Sequence, residues 1–408
     1  MKCRHCRAEL EMPFLDLGSS PPSNAYLTSQ TLQEPEIWYP LRVLVCTQCW
    51  LVQTQDFAGR EELFTDDYSY FSSYSTTWLG HAQTYVADMI ERFKLGADSS
   101  VVEIGANDGY LLQYVQGAGI PCYGVEPTTG TAGAAKQKGI EIIECFFGNK
   151  LARELAEAGR RADLMAANNV LAHVPDINDF VAGFATLLKP HGVATFEFPH
   201  LLRLVEKNQF DTVYHEHYCY LSFTAVMCIF SENGLTVFDV QELPTHGGSL
   251  RVFAQRTDRG MQGRSAKVDA LLAKEREAGM TEAPFYAGFQ AKAEKVKDDL
   301  LGFLLESKRQ GKCVAGYGAA AKGNTLLNYA GVRSDLLPFV VDRNPAKQGK
   351  SMPGSRIPIV TEASIRAHKP DFVLILPWNI KDEIMDQLAY VRKWGGKFGV
   401  AVPVWQLI

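Results

Sequence analysis

Two series of short apolar runs, each alternating with helical stretches, limit the possible folds of this chain more than any other pattern. The first series comprises SVVEIGAND, PCYGVEP, IEIIECF, ADLMAANNV and GVATFEFP, followed by LTVFDVQEL and SLRVFAQ around the turn PTHGG. The second comprises KCVAGYGAAAKG, LPFVVDRNP, DFVLILPWN and KFGVAVPVW. Such alternation predicts parallel sheets with helices on both faces, and the runs around PTHGG predict an antiparallel pair.

A polar stretch, residues 256–310, separates the two series. Its apolar side chains recur at intervals of three, four or seven residues: Phe285, Phe289, Val296, Leu300 and Phe303. This spacing predicts one amphipathic helix that connects the two lobes and packs between them.

Four of the nine cysteines form two CxxC pairs near the amino terminus, and these predicted zinc ligands are Cys3, Cys6, Cys46 and Cys49. Each two-residue gap lets a tight turn direct two thiolates at one ion, and two such turns complete a tetrahedral shell. A shell of four thiolates has no vacant position, so the zinc is expected to be structural and to make this short segment fold. Ordinary buried cysteines or redox pairs are the alternatives. His5, inside the first pair, is expected at the surface rather than on the metal.

The first glycine-rich loop, VVEIGANDGY, follows the first strand. Gly105 and Gly109 let the backbone turn sharply and approach a ligand at the start of the next helix. Glu126 ends the next strand, where a carboxylate suits the ribose hydroxyls of an adenosine. This combination resembles the S-adenosylmethionine site of class I methyltransferases; a turn that binds nothing and a nicotinamide site are the alternatives. The predicted donor-binding residues are Gly105, Asn107, Asp108, Gly109, Glu126 and Asn168.

The second glycine-rich loop, GYGAAAKG, contains Lys322 at a predicted helix start, and Asp342 ends the next strand. Its spacing resembles a dinucleotide-binding loop, but a single near-match is as often a structural turn. Lys322 and Arg343 are predicted to bind a pyrophosphate-bearing substrate through charge and helix-terminal donors. A solvated charged face is the alternative.

The most unusual segment is FDTVYHEHYCYLSF, in which titratable side chains crowd seven positions: Tyr214, His215, Glu216, His217, Tyr218 and Tyr220. Histidine is the commonest base near neutral pH, because its ordinary pKa is about 6.5. An extended segment would separate Tyr214 and His217 onto opposite faces, whereas a helical turn would make them neighbours. A polar edge strand or a second metal site is the alternative to a catalytic base.

Three further stretches carry candidate site residues. His173 follows the fourth strand, beside the predicted methyl donor, unless it is a buried structural histidine. The run DYSYFSSYS contains Tyr68 and Tyr70, which would cover the donor as a lid or brace the zinc module. In THGGSLRV, adjacent glycines allow close backbone approach. The predicted substrate-binding residues there are His246, Ser249 and Arg251.

Together these motifs resemble the sugar C-methyltransferase family, whose members act on nucleotide-linked 4-keto deoxysugars. The CxxC pairs with LDLGSSPPSNAYL match its zinc-binding domain, VEIGANDG its donor site, YHEHYCYLS and HGGSLRV its distinctive segments, and GYGAAAKG its last domain. The resemblance implies an α/β protein in three parts. These are a zinc-binding module at 1–75, a class I methyltransferase Rossmann-like domain at 76–255, and the connector with a second Rossmann-like αβ domain at 256–408.

The same resemblance implies residue roles. His217 is the general base, with Tyr214 and Glu216 beside it. The residues around the sugar ring are Asn169, His173 and Tyr68, with Tyr70 as the other candidate tyrosine. The sugar nucleotide lies between the middle and last lobes, with Lys322 near its diphosphate or nucleoside.

The implied reaction is methylation by S-adenosylmethionine at C3 of a 4-keto deoxysugar, with thymidine diphosphate as the expected carrier. His217 would remove the C3 proton, and donors such as Tyr68 or His173 would stabilise the enolate oxygen. The rivals are an NAD-dependent oxidoreductase that uses GYGAAAKG and Asp342, a zinc-ribbon methyltransferase with another substrate, and a non-catalytic scaffold.

Charge and hydropathy limit the classes of partner that we expect this chain to bind. The 41 basic and 46 acidic residues give a net charge of -5 without a basic tract, so nucleic acid and anionic membranes are not expected partners. No stretch approaches the roughly 20 apolar residues that cross a bilayer, and the first ten residues are not of signal-peptide type. We expect a cytoplasmic monomer or weak oligomer.

Overall fold

A computed structural model of the chain describes residues 1–57, 59 and 71–408. The amino-terminal module contains an antiparallel sheet of β1 (Met12–Ser20), β2 (Tyr39–Val45) and β3 (Val52–Thr54). A further strand, β9 (Cys219–Tyr220), pairs with β3, although it belongs to the YHEHYCY stretch of the middle domain. The zinc-binding module is therefore hydrogen-bonded to the segment that carries His217.

The middle domain contains a seven-stranded sheet. Its strands are β4 (Val101–Ile104), β5 (Cys122–Val125), β6 (Ile142–Ile143), β7 (Ala162–Asn168), β8 (Leu188–Pro199), β10 (Leu235–Leu243) and β11 (Ser249–Arg256). The order β10-β11-β8-β7-β4-β5-β6 places the predicted parallel strands beside the predicted antiparallel pair. The strand order reverses at β4, and ligands of such sheets bind beyond the carboxyl ends of the strands at this point.

Helices flank this sheet. They are α1 (Thr76–Phe93), α2 (Leu112–Gly117), α3 (Thr129–Gln137), α4 (Asn149–Glu157), α5 (Ile177–Leu187), α6 (Leu201–Glu206) and α7 (Phe223–Glu232). Helix α1 begins where the Ser75 hydroxyl accepts a hydrogen bond from the Trp78 N–H, and it ends at Lys94, which adopts a left-handed conformation. These caps fix the position of Trp78 at the start of the helix.

The connector is not the single amphipathic helix that its spacing predicts. It consists of α8 (Ala266–Glu277), α9 (Ala283–Tyr286) and α10 (Phe289–Arg309). Gly279 and Gly288 adopt left-handed φ angles of +82° and +81°, which interrupt the helical path. The apolar stripe persists in α10, where Phe289, Val296 and Leu300 are buried.

The last lobe repeats the αβ pattern. Its elements are β12 (Val314–Tyr317), α11 (Ala321–Tyr329), β13 (Val340–Val341), β14 (Ile359–Val360), α12 (Ala363–His368), β15 (Phe372–Ile375), α13 (Lys381–Gln387), β16 (Lys397–Val400) and β17 (Gln406–Leu407). The sheet order is β14-β13-β12-β15-β16-β17, parallel except for β17. Strands β14 and β17, of two residues each, are not among the predicted runs. No helix within the described ranges combines the length and apolarity of a membrane span.

One apolar core crosses the predicted domain boundaries. It joins buried side chains of the amino-terminal sheet, the middle domain, α10 and α11, among them Leu15, Leu202, Phe289 and Leu326. The three parts therefore stabilise one another, and the boundaries at residues 75 and 255 stay predictions.

Candidate active site and zinc centre

The cysteines predicted as metal ligands lie together. The Sγ atoms of Cys3, Cys6, Cys46 and Cys49 are all within 4.8 Å of one another. The Sγ–Sγ distance is 3.6 Å between Cys3 and Cys49 and 3.4 Å between Cys6 and Cys46. Four sulfurs at about 2.3 Å from a zinc ion would be about 3.8 Å apart, so this cluster fits a structural zinc.

Both CxxC turns have the same backbone conformation. In each, the N–H of the first cysteine donates to the carbonyl five residues later, at 2.8 Å for Cys3 and 3.0 Å for Cys46. Arg7 and Trp50, which follow the pairs, have left-handed φ angles of +64° and +59°. The repeated turn directs the thiol groups of both pairs toward one point.

The prediction that His5 lies at the surface is wrong. Its ring is buried against the middle domain, with Nδ1 2.8 Å from Asn178 Oδ1 and Nε2 3.6 Å from a carboxylate oxygen of Glu232. Because Asn178 lies on α5 and Glu232 on α7, His5 contributes to docking the zinc module onto these helices.

A cavity of about 360 Å³ lies between the middle and last lobes. Of the predicted site residues, those that line it are Gly105, Asn107, Glu126, Asn168, Asn169, His173, Tyr214, His217, His246 and Lys322. Tyr68 and Tyr70 lie outside the described residues. The structure thus brings the predicted donor residues, the candidate base and a cation of the last lobe to one space.

Glu126 and Gly105 form one wall of the cavity, beyond the ends of β4 and β5. Glu126 Oε2 accepts a hydrogen bond from the Asn107 N–H at 2.9 Å, and Oε1 accepts from the Thr128 N–H and hydroxyl. Oε2 keeps capacity for another donor, as a ribose hydroxyl requires. Gly105 has a φ of +70°, and a Cβ there would lie 2.5 Å from Val170, so a side chain does not fit.

Asn168 lines the same cavity. Its Oδ1 atom is buried and has no hydrogen-bond partner in the described part of the chain. Asp108 and Gly109, predicted for the same ligand, do not line the cavity. Asp108 accepts a hydrogen bond from the Ser73 N–H at 3.3 Å, and a Cβ at Gly109 would overlap Ile140. These contacts indicate that both residues hold the loop in place.

His217 has the tautomer that a general base requires. Its Nδ1 lies 2.9 Å from the Thr212 carbonyl oxygen. Because a carbonyl only accepts, Nδ1 carries the proton and Nε2 carries the lone pair. Burial, followed by the neighbouring His173, lowers the pKa of His217 well below its ordinary value. The ring is therefore neutral at neutral pH and able to accept a proton.

The YHEH segment is a turn rather than an extended strand. The His217 N–H donates to the Tyr214 carbonyl at 2.9 Å, and the two ring centroids are 3.9 Å apart. Glu216 does not line the cavity, because its Oε1 accepts hydrogen bonds from the Asn24 side chain at 3.2 Å and backbone at 3.3 Å. Burial raises the pKa of Glu216. Tyr214 is thus the direct neighbour of His217, and Glu216 links the turn to the zinc module.

His173 has the same tautomer as His217. Its Nδ1 donates to the Glu216 carbonyl at 2.7 Å, and its ring centroid lies 4.6 Å from that of His217. Burial lowers the pKa of His173 to about 4. A neutral His173 has no proton on Nε2, so this geometry favours a second proton acceptor over the hydrogen-bond donor expected for an enolate oxygen.

The residues on either side of Thr212 are held by the last lobe. Trp378 Nε1 donates to Asp211 Oδ2 at 2.8 Å, and the Thr325 hydroxyl donates to the Val213 carbonyl at 2.9 Å. Burial raises the pKa of Asp211 to about 6. The carbonyl that orients the candidate base therefore lies between two contacts from the last lobe.

The THGGSLRV segment divides between the cavity and the interior. His246 lines the cavity with its Nε2 3.4 Å from Asn169 Nδ2, and burial lowers its pKa to about 4. Ser249 and Arg251, predicted to bind substrate, do not line it. The Ser249 hydroxyl donates to a backbone carbonyl at 2.9 Å, and Arg251 forms a buried ion pair with Glu197 at 3.0 Å. Both residues contact protein groups beneath the cavity.

Two lysines of the last lobe line the cavity. Lys322 Nζ donates to Asn379 Oδ1 at 2.7 Å and lies 4.5 Å from the Trp378 ring centroid. Lys347 donates to the Ala319 carbonyl at 2.8 Å. Arg343, predicted with Lys322, is exposed and lies outside the cavity.

Sequence reasoning did not anticipate Asn24, Trp78 and Thr212, which also line the cavity. Asn24 lies in LDLGSSPPSNAYL and Thr212 in FDTVYHEH, so both belong to segments whose sequences are distinctive. Trp78 carries no such signal. Its ring centroid lies 5.2 Å from that of His246.

Family models of known proteins match the zinc-binding module, the middle domain and the last lobe separately. A family model described as a putative zinc binding domain matches residues 3–64, a methyltransferase domain matches 78–240, and a C-methyltransferase C-terminal domain matches 244–403. The C-methyltransferase NovU of Streptomyces niveus is 35% identical over 402 residues, which cover 98% of this chain and 95% of that protein. The chain belongs to the C-methyltransferase family.

Within this family assignment, the chain is an S-adenosylmethionine-dependent C-methyltransferase with a zinc-binding module, and the predicted α/β fold class is confirmed. The ubiquinone biosynthesis O-methyltransferase of Azorhizobium caulinodans is 29% identical over 94 residues, 23% of this chain and 37% of that protein.

Two solved structures are also similar in part. Magnesium protoporphyrin IX methyltransferase from Synechocystis PCC 6803 with bound SAM has 19% identity and a TM-score of 0.34, covering 44% of this chain and 82% of that one. The PH0226 protein from Pyrococcus horikoshii OT3 has 13% identity and a TM-score of 0.38, covering 46% of this chain and 95% of that one.

Proposed function

We propose that this C-methyltransferase methylates C3 of a nucleotide-linked 4-keto deoxysugar, with thymidine diphosphate as the expected carrier and His217 as general base. The observation that carries the proposal is the neutral His217 ring, with its Nδ1 proton bound to the Thr212 carbonyl, in a cavity shared with Glu126. Methylation at carbon requires a carbanion, and a carbon acid beside a ketone yields one to a positioned base.

The proton moves between defined atoms in this proposal. His217 Nε2 accepts the proton from C3, and the resulting negative charge is carried by the C4 oxygen of the sugar. S-adenosylmethionine, when bound, supplies an electrophilic methyl carbon. Glu126 and Asn168 would hold its adenosine and polar end, and the cavity wall would keep the two reactants close, which supplies much of the rate acceleration.

The tautomer of His173 indicates which residues would donate a hydrogen bond to the enolate oxygen. Neutral His173 offers no proton at Nε2, whereas the amide of Asn169 and the hydroxyl of Tyr214 are donors that line the cavity. Tyr68 stays an expected donor from the sequence. The ring centroids of His173 and His217 are 4.6 Å apart. His173 would therefore take part in removing the proton rather than in stabilising the oxygen.

The carrier end of the substrate is assigned to the last lobe. Lys322 and Lys347 line the same cavity as His217, and ammonium groups bind the charged oxygens of a diphosphate. This arrangement would place the sugar at the His217 turn and the diphosphate against the last lobe. Net charge and the lack of a basic tract support a small anionic substrate over nucleic acid.

The test measures proton removal separately from methyl transfer. We expect the wild-type protein with S-adenosylhomocysteine to exchange the C3 hydrogen of a thymidine diphosphate 4-keto deoxysugar for deuterium in D2O. His217→Gln should abolish this exchange and lower kcat by roughly 10²–10⁴-fold, the range for loss of a general base. The Kd for S-adenosylhomocysteine, from calorimetry, should stay within about twofold because Glu126 is untouched.

His191→Gln is the matched control, since His191 is exposed and contacts only the remote Arg259 carbonyl among the contacts described for its ring. Unchanged exchange in His217→Gln would remove the base assignment. Absence of exchange in the wild type across a panel of thymidine and guanosine diphosphate 4-keto sugars would remove the substrate class.

A further inference from the structure

His217 is fixed at its backbone as well as at its ring. The Thr54 hydroxyl donates to the His217 carbonyl at 2.5 Å, and the Thr54 N–H donates to the Tyr218 carbonyl at 3.0 Å. Thr54 is 2% exposed, so water has little access to replace these bonds. Thr54 belongs to β3 of the zinc-binding module, which pairs with β9 directly after the YHEH turn.

Thr54 is held in turn by the first CxxC turn. Arg4 lies between two of the metal ligands, and its Nη2 donates to the Thr54 carbonyl at 3.2 Å. The Arg4 N–H donates to Gln53 Oε1 at 2.9 Å, and Gln53 Nε2 donates to Cys3 Sγ at 3.3 Å. Hydrogen bonds therefore run from the sulfur cluster to the backbone of the candidate base.

Thr54 does not line the cavity, so it acts on the reaction only through another residue. A general base must hold its lone pair within hydrogen-bond reach of the proton, and a displacement of about 1 Å can lower a rate roughly 10²-fold. The ring of His217 donates a hydrogen bond to the Thr212 carbonyl and packs against the Tyr214 ring, while its backbone carbonyl accepts from the Thr54 hydroxyl. Loss of the Thr54 hydroxyl would remove a hydrogen bond from the backbone that carries the ring.

We propose that Thr54 is a positioning residue for His217, so that the zinc-binding module sets the geometry of the catalytic base besides stabilising the fold. This inference rests on the proposed role of His217. It assigns Thr54 an effect on kcat with little effect on either binding step, because the donor residues and the lysines of the last lobe have no contact with Thr54 among the described hydrogen bonds.

The test compares Thr54→Val, which keeps the side-chain shape and removes the hydroxyl, with Thr54→Ser, which keeps the hydroxyl. We expect Thr54→Val to lower kcat about 10-fold to 100-fold. The KM for the sugar nucleotide and the Kd for S-adenosylhomocysteine should stay within about twofold, and Thr54→Ser should restore most of kcat. Thr195→Val is the matched control, because it removes a buried hydroxyl that bonds Tyr85 at 2.6 Å, away from His217.

A second readout does not depend on turnover. Nitrogen-15 NMR of the imidazole distinguishes the protonated ring nitrogen from the bare one, and the wild type should show His217 with the proton on Nδ1. In Thr54→Val the share of the Nε2–H tautomer should increase, whereas Thr195→Val and Thr54→Ser should match the wild type. Zinc content is measured in every variant.

Wild-type kcat in Thr54→Val, or equal losses in Thr54→Val and Thr54→Ser, would overturn the inference. Loss of zinc or thermal stability in Thr54→Val with an unchanged tautomer would also overturn it, because it would show a structural role alone. If His217→Gln keeps its turnover, the proposed function fails. If His217→Gln is inactive and Thr54→Val is not, this inference alone fails.

Discussion

The middle and last lobes share one local arrangement and differ in what contacts it. In both, an acidic side chain at the end of the second strand accepts a hydrogen bond from a backbone N–H of the glycine-rich loop. Glu126 accepts from the Asn107 N–H at 2.9 Å, and Asp342 accepts from the Ala319 N–H at 2.8 Å. Glu126 lines the cavity, whereas Asp342 does not. The acid therefore fixes the loop in both lobes, and in the middle lobe it is also open to a ligand.

Protein groups cover Gly318 and Ala319 of the last lobe's loop, whereas Ala320, Ala321 and Lys322, which follow them, line the cavity. The Ala319 carbonyl accepts hydrogen bonds from the Tyr26 hydroxyl at 2.5 Å and from Lys347 at 2.8 Å. A Cβ at Gly318 would lie 2.5 Å from Pro377, so that loop packs against its own lobe. The glycine-rich turn itself is therefore open to the cavity in the middle lobe, whereas in the last lobe only the residues after the turn are open to it. The NAD-binding alternative gains no support from this geometry.

The largest expected contrast between the lobes is in donor binding. Glu126→Gln should weaken S-adenosylhomocysteine binding about 10-fold to 100-fold, since hydrogen bonds to a charged group contribute about 1.5–3 kcal/mol. Asp342→Asn should leave that Kd within about twofold. Calorimetry with both variants measures the contrast. Equal weakening in the two variants, or NADH binding by the wild type that Asp342→Asn abolishes, would break the comparison.

A smaller effect is expected for the substrate cation of the last lobe. Lys322→Met should raise the KM for the sugar nucleotide roughly 5-fold to 20-fold through loss of a charge-assisted contact, with the Kd for S-adenosylhomocysteine unchanged. Steady-state kinetics at two salt concentrations give both the KM and its charge dependence. Lys397→Met, on an exposed lysine of the same lobe, is the control. Weaker binding of S-adenosylhomocysteine by Lys322→Met would contradict this prediction, because it would show that Lys322 contacts the methyl donor.

The smallest expected contrast between the two lobes is in how their stability depends on pH. Burial lowers the pKa of His173 and His246 to about 4, while the unfolded chain takes up these protons near 6.5. Between those values the unfolded state binds more protons, so the free energy of unfolding falls as the pH falls from 7 toward 4. His368, the histidine of the last lobe, is exposed.

Hydrogen exchange at pH 7 and 5 measures this contrast by region. Peptides from the His173 and His217 segments should lose protection in acid before peptides from β12 and β15 do. Substituting His173 and His246 together by Gln should reduce the loss. Acid sensitivity that begins in the last lobe would contradict the assignment of these buried rings as its cause.

The strands and the metal ligands could be predicted because their signals are local. Apolar runs between glycines define a strand wherever it lies, and a CxxC gap fixes two thiols in one turn. Arg251 could not be assigned in this way. It reads as an anion-binding residue beside two glycines, yet its partner on the neighbouring strand of the sheet is Glu197, with which it forms a buried ion pair.

Positions that depend on packing between distant segments were also beyond the sequence. The tautomers of His173 and His217 follow from which carbonyl lies beside each ring, and the burial of His5 follows from how the zinc module docks. The connector is interrupted at Gly279 and Gly288, which have left-handed φ angles. The spacing of apolar residues in the connector gives no sign of these interruptions. Periodicity carries no information on any of these contacts.

The contacts on either side of Thr212 have a consequence during synthesis. Ribosomes synthesise the chain from its amino end, so Glu126 and His217 leave the exit tunnel before Thr325 and Trp378 do. We expect the imidazole of His217 to become ordered only after Thr325 and Trp378 have joined the fold. The proton removal that we propose for His217 would then begin only with the finished chain.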